Sequence, residues 1–208
     1  MSNLIKSRAV ASLLSVTMHT IRDMRHGGLL PAPVVVGKSE LWVNAEIESW
    51  LKCKLAARDG CNMDLVNELP WPPVLLKGEQ VAKIFGIKSG TVVKTAKAGK
   101  LPSAIIISKK SSFRWVKSEI DYFVNQLLLD RGCDNDIPSE PVLISANEVA
   151  VKLGFTNSDY ISKLSKKGML PKPITIGGKL LFWVESEIQE YVDRKISDRD
   201  AAVAGGAE

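Results

Sequence analysis

A six-residue phrase that occurs three times constrains the fold of this chain more than any other feature. The phrase is Trp-Val-x-x-Glu-Ile, at residues 42–47, 115–120 and 183–188, so successive copies are separated by nearly equal lengths of chain. A Gly-x-Leu-Pro segment precedes each copy at an only slightly variable distance, with its proline at position 31, 102 or 171. Self-similarity at a long, nearly fixed period is typical of tandem copies of one structural unit. We therefore predict three successive modules.

The repeats define the predicted domain boundaries. We assign module 1 to residues 1–60, module 2 to 74–132 and module 3 to 142–197, with linkers at 61–73 and 133–141 and a disordered tail at 198–208. Modules of this size lie near the lower limit for independent folding, so the repeated tryptophan is predicted to fill each core. The first linker is apolar enough to dock in part, whereas the second is predicted to be an exposed connector.

Hydrophobic periodicity predicts the same elements in each module. In module 1, a helix capped by Ser7 precedes a second helix over Met18–His26, which ends at Gly28 in a left-handed cap. Val34–Val36 and Leu41–Val43 then form a two-stranded wing, and a closing helix follows. Two short helices joined by a tight turn form a helix-turn-helix. The predicted fold is mainly α with small β wings, as three tandem winged helix-turn-helix domains.

The closing helices of modules 2 and 3 carry further predictions. In module 2, Leu128 and Leu129 are predicted to lie outside the apolar stripe of the helix and to indicate a contact with another module or another chain. In module 3, the buried face is predicted to include Ile188, Tyr191 and Ile196. Glu46, Glu119 and Glu187 all fall in the first turn of a closing helix, where a carboxylate favours the positive end of the helix dipole.

The charge of the chain is distributed unevenly. Lys and Arg outnumber Asp and Glu by eight to five in residues 4–60, by eleven to four in 74–131 and by eight to six in 142–195. The connecting and terminal remainder holds one basic and eight acidic residues, which gives the net charge of +5. Basic modules on acidic tethers indicate a polyanionic partner.

Several classes of protein are excluded by what the sequence lacks. The cysteines form no Cys-x-x-Cys pair and have no nearby histidine, so neither a disulfide framework nor a zinc site is indicated. No apolar run approaches the ~18 residues of a membrane span, and no signal peptide precedes module 1. We therefore expect a soluble cytoplasmic protein, associated with the bacterial nucleoid and making no membrane contact.

Enzymatic chemistry is not indicated either. His19 and His26 have no Ser, Cys or carboxylate partner at a useful spacing. Gly177-Gly178 lacks the Gly-Lys-Ser/Thr sequence of a phosphate-binding loop, and a hairpin turn explains it better. We expect no enzyme activity, no metal and no cofactor.

The combined pattern resembles a known family. The order Leu-Ile, Val-Ala, helix-turn-helix, Gly-x-Leu-Pro, basic wing and Trp-Val-x-Ala/Ser-Glu-Ile is similar to the AlpA-type prophage regulators, which group with the excisionases among MerR-like winged-helix proteins. The resemblance covers all three modules, although family members usually carry one. The family often has Tyr-Arg in the middle of the recognition helix, where this chain has Arg22-Asp23, Val93-Lys94 and Ser162-Lys163.

Double-stranded DNA is the partner that the resemblance and the charge both imply. The second helix of each module is expected in the major groove, with the wing on the phosphate backbone. The predicted base-reading residues are His19, Thr20 and Arg22 in module 1, Thr91 and Lys94 in module 2, and Tyr160, Ser162 and Lys163 in module 3. The predicted phosphate contacts are Arg25, Lys38, Lys97, Lys109, Lys110, Lys166, Lys167 and Lys179.

Three functional hypotheses remain open from the sequence. The first is a sequence-specific transcriptional regulator, since AlpA-like proteins activate prophage or island recombination genes. The second is an excisionase-like recombination directionality factor that bends DNA. The third is a protein-interaction scaffold in which some modules have lost DNA contact. Module 1 or module 3 is the candidate for such a loss, because Asp23 or Asp159 lies on its predicted reading helix. Self-association through Leu128 and Leu129 is a further expectation.

Overall fold

The computed structural model describes residues 3–60, 62–108, 112–132 and 141–205. The chain forms two compact units: Met1–Val81 with Val93–Ile120, and Ala82–Val92 with Asp121–Glu208. Module 1 lies in the first unit and module 3 in the second, while residues of module 2 contribute to both.

The same order of elements occurs three times along the chain. The first succession is β1 (Leu4–Lys6), α1 (Ser7–Leu13), α2 (Met18–His26), β2 (Val34–Val36), β3 (Ser39–Val43) and α3 (Asn44–Arg58), followed by α4 (Met63–Asn67). The second is β4 (Leu75–Lys77), α5 (Gly78–Ile84), α6 (Ser89–Lys97), β5 (Ile105–Ile106), β6 (Phe113–Val116) and α7 (Lys117–Asp130). The third is β7 (Leu143–Ser145), α8 (Ala146–Lys152), α9 (Ser158–Lys166), β8 (Ile174–Ile176), β9 (Leu180–Val184) and α10 (Glu185–Gly205).

Each succession contains a three-stranded antiparallel sheet rather than the predicted two-stranded wing. The strand that ends in the repeated Trp-Val lies in the middle, between the first strand and the hairpin partner. Leu4 pairs with Val43 and Ile5 with Trp42, and the other two sheets keep this register. A strand as short as Leu4–Lys6 shows no period in sequence, so only its pairing reveals it.

The repeated tryptophans are core residues, as predicted. Trp42, Trp115 and Trp183 are 0–1% exposed. Each indole N–H donates a hydrogen bond to the carbonyl of the preceding Leu-Pro proline, at 3.0 Å to Pro31, 3.0 Å to Pro102 and 2.9 Å to Pro171. A buried indole needs such an acceptor. The hydrogen bond therefore links the two fixed sequence landmarks, and the variation in length between them is taken up in the hairpin.

The helix ends follow the sequence in part. Thr17 caps α2 by accepting a hydrogen bond from the backbone N–H of Thr20 at 3.1 Å. Gly28 has φ +62° directly after the C-cap of α2, as the left-handed cap prediction requires. The predicted cap at Ser7 is wrong, because Ser7 is already helical and Lys6 occupies the N-cap without a side-chain hydrogen bond.

Two predictions about connecting segments have different outcomes. The first linker docks in part, since Val66 is buried and Leu69 and Trp71 pack against the core of the first unit. Most of the second linker, residues 133–140, lies outside the described residues. Of the predicted disordered tail, residues 198–205 instead continue α10, because the alanines at 201 and 202 favour helix, and residues 206–208 lie outside the described residues.

The end of one closing helix is held against the next module by an arrangement that we call the arginine clamp. Arg58, the last residue of α3, donates to both carboxylate oxygens of Glu119 at 2.8 and 2.6 Å and to the carbonyl of Ser103 at 3.2 Å. In the second unit, Arg131 donates to the carboxylate of Glu187 and, at 2.6 Å, to the carbonyl of Lys172. The helix-dipole explanation of these glutamates is therefore incomplete.

The electrostatics of the first clamp favour the charged guanidinium. Burial by itself would lower the pKa of Arg58, but hydrogen bonds to Asp59 and Glu119 outweigh it, and the pKa lies above its ordinary value. A second arginine of the first unit, Arg114, donates to the carbonyl of Ser15 at 3.0 and 2.7 Å, and burial lowers its pKa. Arg58 thus holds the end of α3, and Arg114 holds the turn between α1 and α2.

No helix in the described ranges combines the length and the apolar character that a membrane-spanning segment needs.

Candidate nucleic-acid interface

The helix pair of module 3 presents the largest set of predicted contact residues. Helix α9 begins at the Asn157 cap, whose side-chain oxygen accepts from the backbone N–H of Asp159 at 2.8 Å. Ile161 is buried on one side of α9, and the opposite side is exposed and polar. The exposed predicted residues are Tyr160, Lys163, Lys166 and Lys167. These side chains give the second helix of the pair a basic outer surface.

Two residues of this set have neighbours within the module. The Tyr160 ring lies edge-on against Phe155, with the centroids 4.9 Å apart, so its position is set by the turn between α8 and α9. Ser162 is half-buried, and its hydroxyl donates to the carbonyl of Ser158 at 3.4 Å. Tyr160 is therefore better placed than Ser162 to contact a ligand.

The hairpin of module 3 adds one more exposed cation. Gly177 and Gly178 turn the chain between β8 and β9 with φ values of +60° and +73°, which residues with a side chain seldom adopt. Lys179 follows at the tip and is exposed. A lysine on a tight β-turn reaches outward from the module, as a contact to a phosphate backbone requires.

The second helix of module 1, α2, is less basic than the sequence suggests. Ile21 and Met24 are buried, as predicted, and His19 and Arg22 are exposed. Arg25, however, forms an ion pair of 2.6 Å with Glu40 on β3, which offsets its charge.

The remaining predicted residues of module 1 differ in whether a neighbouring side chain already contacts them. The Thr20 hydroxyl lies 2.9 Å from that of Thr17, within the capping arrangement. Lys38 lies exposed at the hairpin. His19 does have a carboxylate neighbour, Asp23 at 3.5 Å one turn along the helix, so the prediction that it lacks one is wrong.

The predicted residues of module 2 fall into separate parts of the structure. Lys94 and Lys97 are exposed in the first unit, and the ammonium of Lys97 lies 5.7 Å from the ring centroid of Phe113. Thr91 is half-buried in the second unit. Lys109 and Lys110 lie outside the described residues. The structure thus gives module 2 two exposed cations at the end of α6.

Sequence reasoning missed the clamp arginines. Arg58 follows Trp42 at the same spacing at which Arg131 follows Trp115. The same spacing from Trp183 leads to Arg199. An alignment of the three repeated phrases would therefore have pointed to the clamp arginine. No cluster of His, Cys, Asp and Glu suited to a metal ion occurs in the ranges that the structure describes.

Comparison with known proteins adds to this geometry. Helix pairs of this kind, joined by a short turn, serve DNA binding in helix-turn-helix proteins. Residues 143–196, from β7 into α10, match the family model described as Prophage CP4-57 regulatory protein (AlpA). The matched residues are similar to that prophage regulatory family, and they include the α8–α9 pair and its basic surface. No curated protein and no solved structure matches the chain.

Proposed function

We propose that this chain is a sequence-specific double-stranded DNA-binding transcriptional regulator, built from three tandem winged helix-turn-helix modules. The observation that carries the proposal is the coincidence of the AlpA-family match with the exposed basic face of α9. Tyr160 and Lys163 would meet base edges in the major groove, while Lys166, Lys167 and Lys179 would meet phosphates.

The other two modules extend the same proposal. The equivalent positions of module 1 are the exposed His19 and Arg22 on α2, with Lys38 on the hairpin. In module 2 they are Lys94 and Lys97. One small module offers about three phosphate contacts and therefore weak binding. Modules on one chain act at an effective concentration on the order of millimolar, so the three together bind far more tightly than one.

Selection of bound sequences from a random duplex library at near-physiological salt tests the proposal. A long motif with two or three blocks about one helical turn, ~34 Å, apart is the expected result. Genomic matches upstream of genes would support regulation of transcription. An absence of enrichment would contradict sequence-specific binding by any module.

A bending assay separates the regulator from the excisionase-like alternative. The selected duplex is placed at different positions within a longer fragment, and the mobility of each complex is compared. We expect mobility to depend little on position. A strong dependence, together with matches at attachment sites, would instead favour the recombination role.

A further inference from the structure

The two arginine clamps are the same contact made twice. In each, the arginine lies at the same spacing after one repeated tryptophan, and the glutamate belongs to the next copy of the repeated phrase. The carbonyl acceptor belongs in each case to the residue that follows Leu-Pro, Ser103 or Lys172. The clamp is therefore a property of the module, with a donor half on the closing helix and an acceptor half near the repeated phrase.

An apolar contact accompanies the acceptor half. Antiparallel pairing puts Leu4 and Val43 on the sheet face opposite Trp42, and the hairpin residues Val34 and Val36 share that face. In module 2 this face joins the apolar cluster of α3, because Leu75, Ile105, Ile107 and Val116 cluster with Leu51, Leu55 and Ala56. In module 3, Phe182 on the same face meets Phe85, with centroids 6.4 Å apart.

The exposure of this face differs sharply between the modules. Leu4, Val34 and Val36 of module 1 are 45, 42 and 55% exposed. The six residues at the same positions in modules 2 and 3 are only 1–5% exposed: Leu75, Ile105, Ile107, Leu143, Ile174 and Ile176. Glu46, which corresponds to Glu119 and Glu187, is exposed, and it has no ion-pair partner among the described residues. Module 1 thus has the carboxylate and the apolar side chains of an acceptor half, and these side chains are exposed.

Module 3 carries the matching donor half. Arg199 has a side chain 67% exposed and donates only to the neighbouring Asp200, at 2.8 and 2.6 Å, among the described residues. Arg58 also donates to the acidic residue that follows it, Asp59, at 2.7 and 2.6 Å, and at the same time to Glu119. Ile196 is 45% exposed, whereas its counterparts Leu55 and Leu128 are 0 and 1% exposed. The prediction that Ile196 is buried is therefore wrong for a single copy of the chain.

We propose that a second copy of this chain covers the acceptor half of module 1 with the donor half of its own module 3. Arg199 of one copy donates to the Glu46 carboxylate and the Ala32 carbonyl of the next, and Ile196 packs on Leu4, Val34 and Val36. The charges are complementary, and the apolar residues correspond in position to those that already pack in the first unit. Such a contact joins two different surfaces, so it is heterologous and leaves a free half at each end of the assembly.

Sedimentation velocity of the full chain over a range of concentrations tests the proposal without DNA. We expect species at multiples of 22.7 kDa as concentration rises. Arg199→Glu and Glu46→Arg should each weaken association by roughly a hundredfold or more, because each places like charges face to face. Arg194→Glu is the matched control, since it makes the same charge change on α10 at a position that corresponds to no clamp residue. It should associate as the unaltered chain does.

Mixing the two charge-reversed variants gives the decisive result. The arginine introduced at position 46 of one variant then faces the glutamate introduced at position 199 of the other, and the unaltered Arg199 and Glu46 face each other at the alternate contact. An equimolar mixture of two folded variants that are monomeric alone should therefore associate again. The proposal is overturned by a chain that stays at 22.7 kDa at all concentrations, by single variants that associate normally, or by a mixture that remains monomeric.

Discussion

The tryptophan of the repeated phrase combines two stabilising roles in one side chain. It fills the space between the sheet and the helices, and its indole N–H donates a hydrogen bond to the carbonyl of the Leu-Pro proline. Substitution by phenylalanine separates packing from hydrogen bonding, because phenylalanine keeps most of the side-chain volume but has no N–H.

At Trp183, replacement by alanine should lower the free energy of unfolding by about 3–5 kcal/mol through loss of packing. Phenylalanine should cost less, about 1–3 kcal/mol, chiefly by leaving the Pro171 carbonyl without its donor. Urea denaturation followed by circular dichroism measures both. Equal losses for the two variants would contradict a separate contribution from the hydrogen bond. Trp50→Phe is the control, since Trp50 is half-buried on α3 and lies outside the repeated phrase.

The turn between the first two helices provides a second residue-scale prediction. Ser15 has φ +52°, while the corresponding residues Gly86 and Gly154 have φ +55° and +75°. A side chain at such an angle is strained, so Ser15→Gly should stabilise the chain by about 0.5–1 kcal/mol.

The reverse change at Gly86 should be destabilising. A Cβ there would overlap the Glu148 carboxylate and lie 3.1 Å from the backbone nitrogen of Ser145. Gly86→Ser is therefore expected to lower the midpoint of urea unfolding, while Ser15→Gly raises it. If Ser15→Gly lowers the midpoint, the hydroxyl or Cβ of Ser15 makes a contribution larger than the backbone strain.

At the scale of elements, α9 is where the DNA prediction is most sharply tested. Lys163→Ala with Lys166→Ala removes two exposed charges from the proposed reading face and should weaken duplex binding about tenfold or more, with unchanged folding. Arg194→Ala with Lys195→Ala removes the same charge from α10 and should have a smaller effect. Fluorescence anisotropy with a labelled duplex measures the difference. Equal losses for the two pairs would mean that total charge, rather than α9, governs binding.

Most elements of the fold could be predicted from the sequence because landmarks recur. Gly-x-Leu-Pro and Trp-Val fix the ends of α2 and the start of α3, and the same landmarks set the corresponding helices of the other two successions. The first strands were not predicted, since Leu4–Lys6 is too short to show alternation and depends on pairing with β3. Helix α4 was missed for the same reason, as this short helix carries one buried side chain, Val66.

The candidate site was less predictable than the fold. Sequence pattern indicates which face of α2 or α9 is polar, but not which polar groups find partners within the module. Arg25 pairs with Glu40 across the hairpin, and Ser162 turns back to its own helix. Both contacts depend on tertiary distances, whereas the exposure of Lys163 follows directly from the period of the helix.

At the scale of the whole molecule, the number of modules that engage DNA determines the dependence of affinity on salt. If each of three modules contacts about three phosphates, the slope of log K against log salt is about −8. Replacing Lys94 and Lys97 by alanine should make the slope shallower by about two. Titrations at several salt concentrations measure the slope directly. An unchanged slope would remove module 2 from the interface.

The equivalence of the two arginine clamps has a consequence for how such a gene can change in length. Because both junctions use the same groups, we expect a closing helix with the clamp arginine to fit any following module that supplies the carboxylate and the carbonyl. An in-frame deletion that joins residues 1–58 directly to residues 132–208 would bring Arg58 to Glu187, and an in-frame duplication would add one more identical junction. Gains and losses of whole modules are therefore expected to preserve folding, and under the proposed function each would change the length of the contacted DNA by one block.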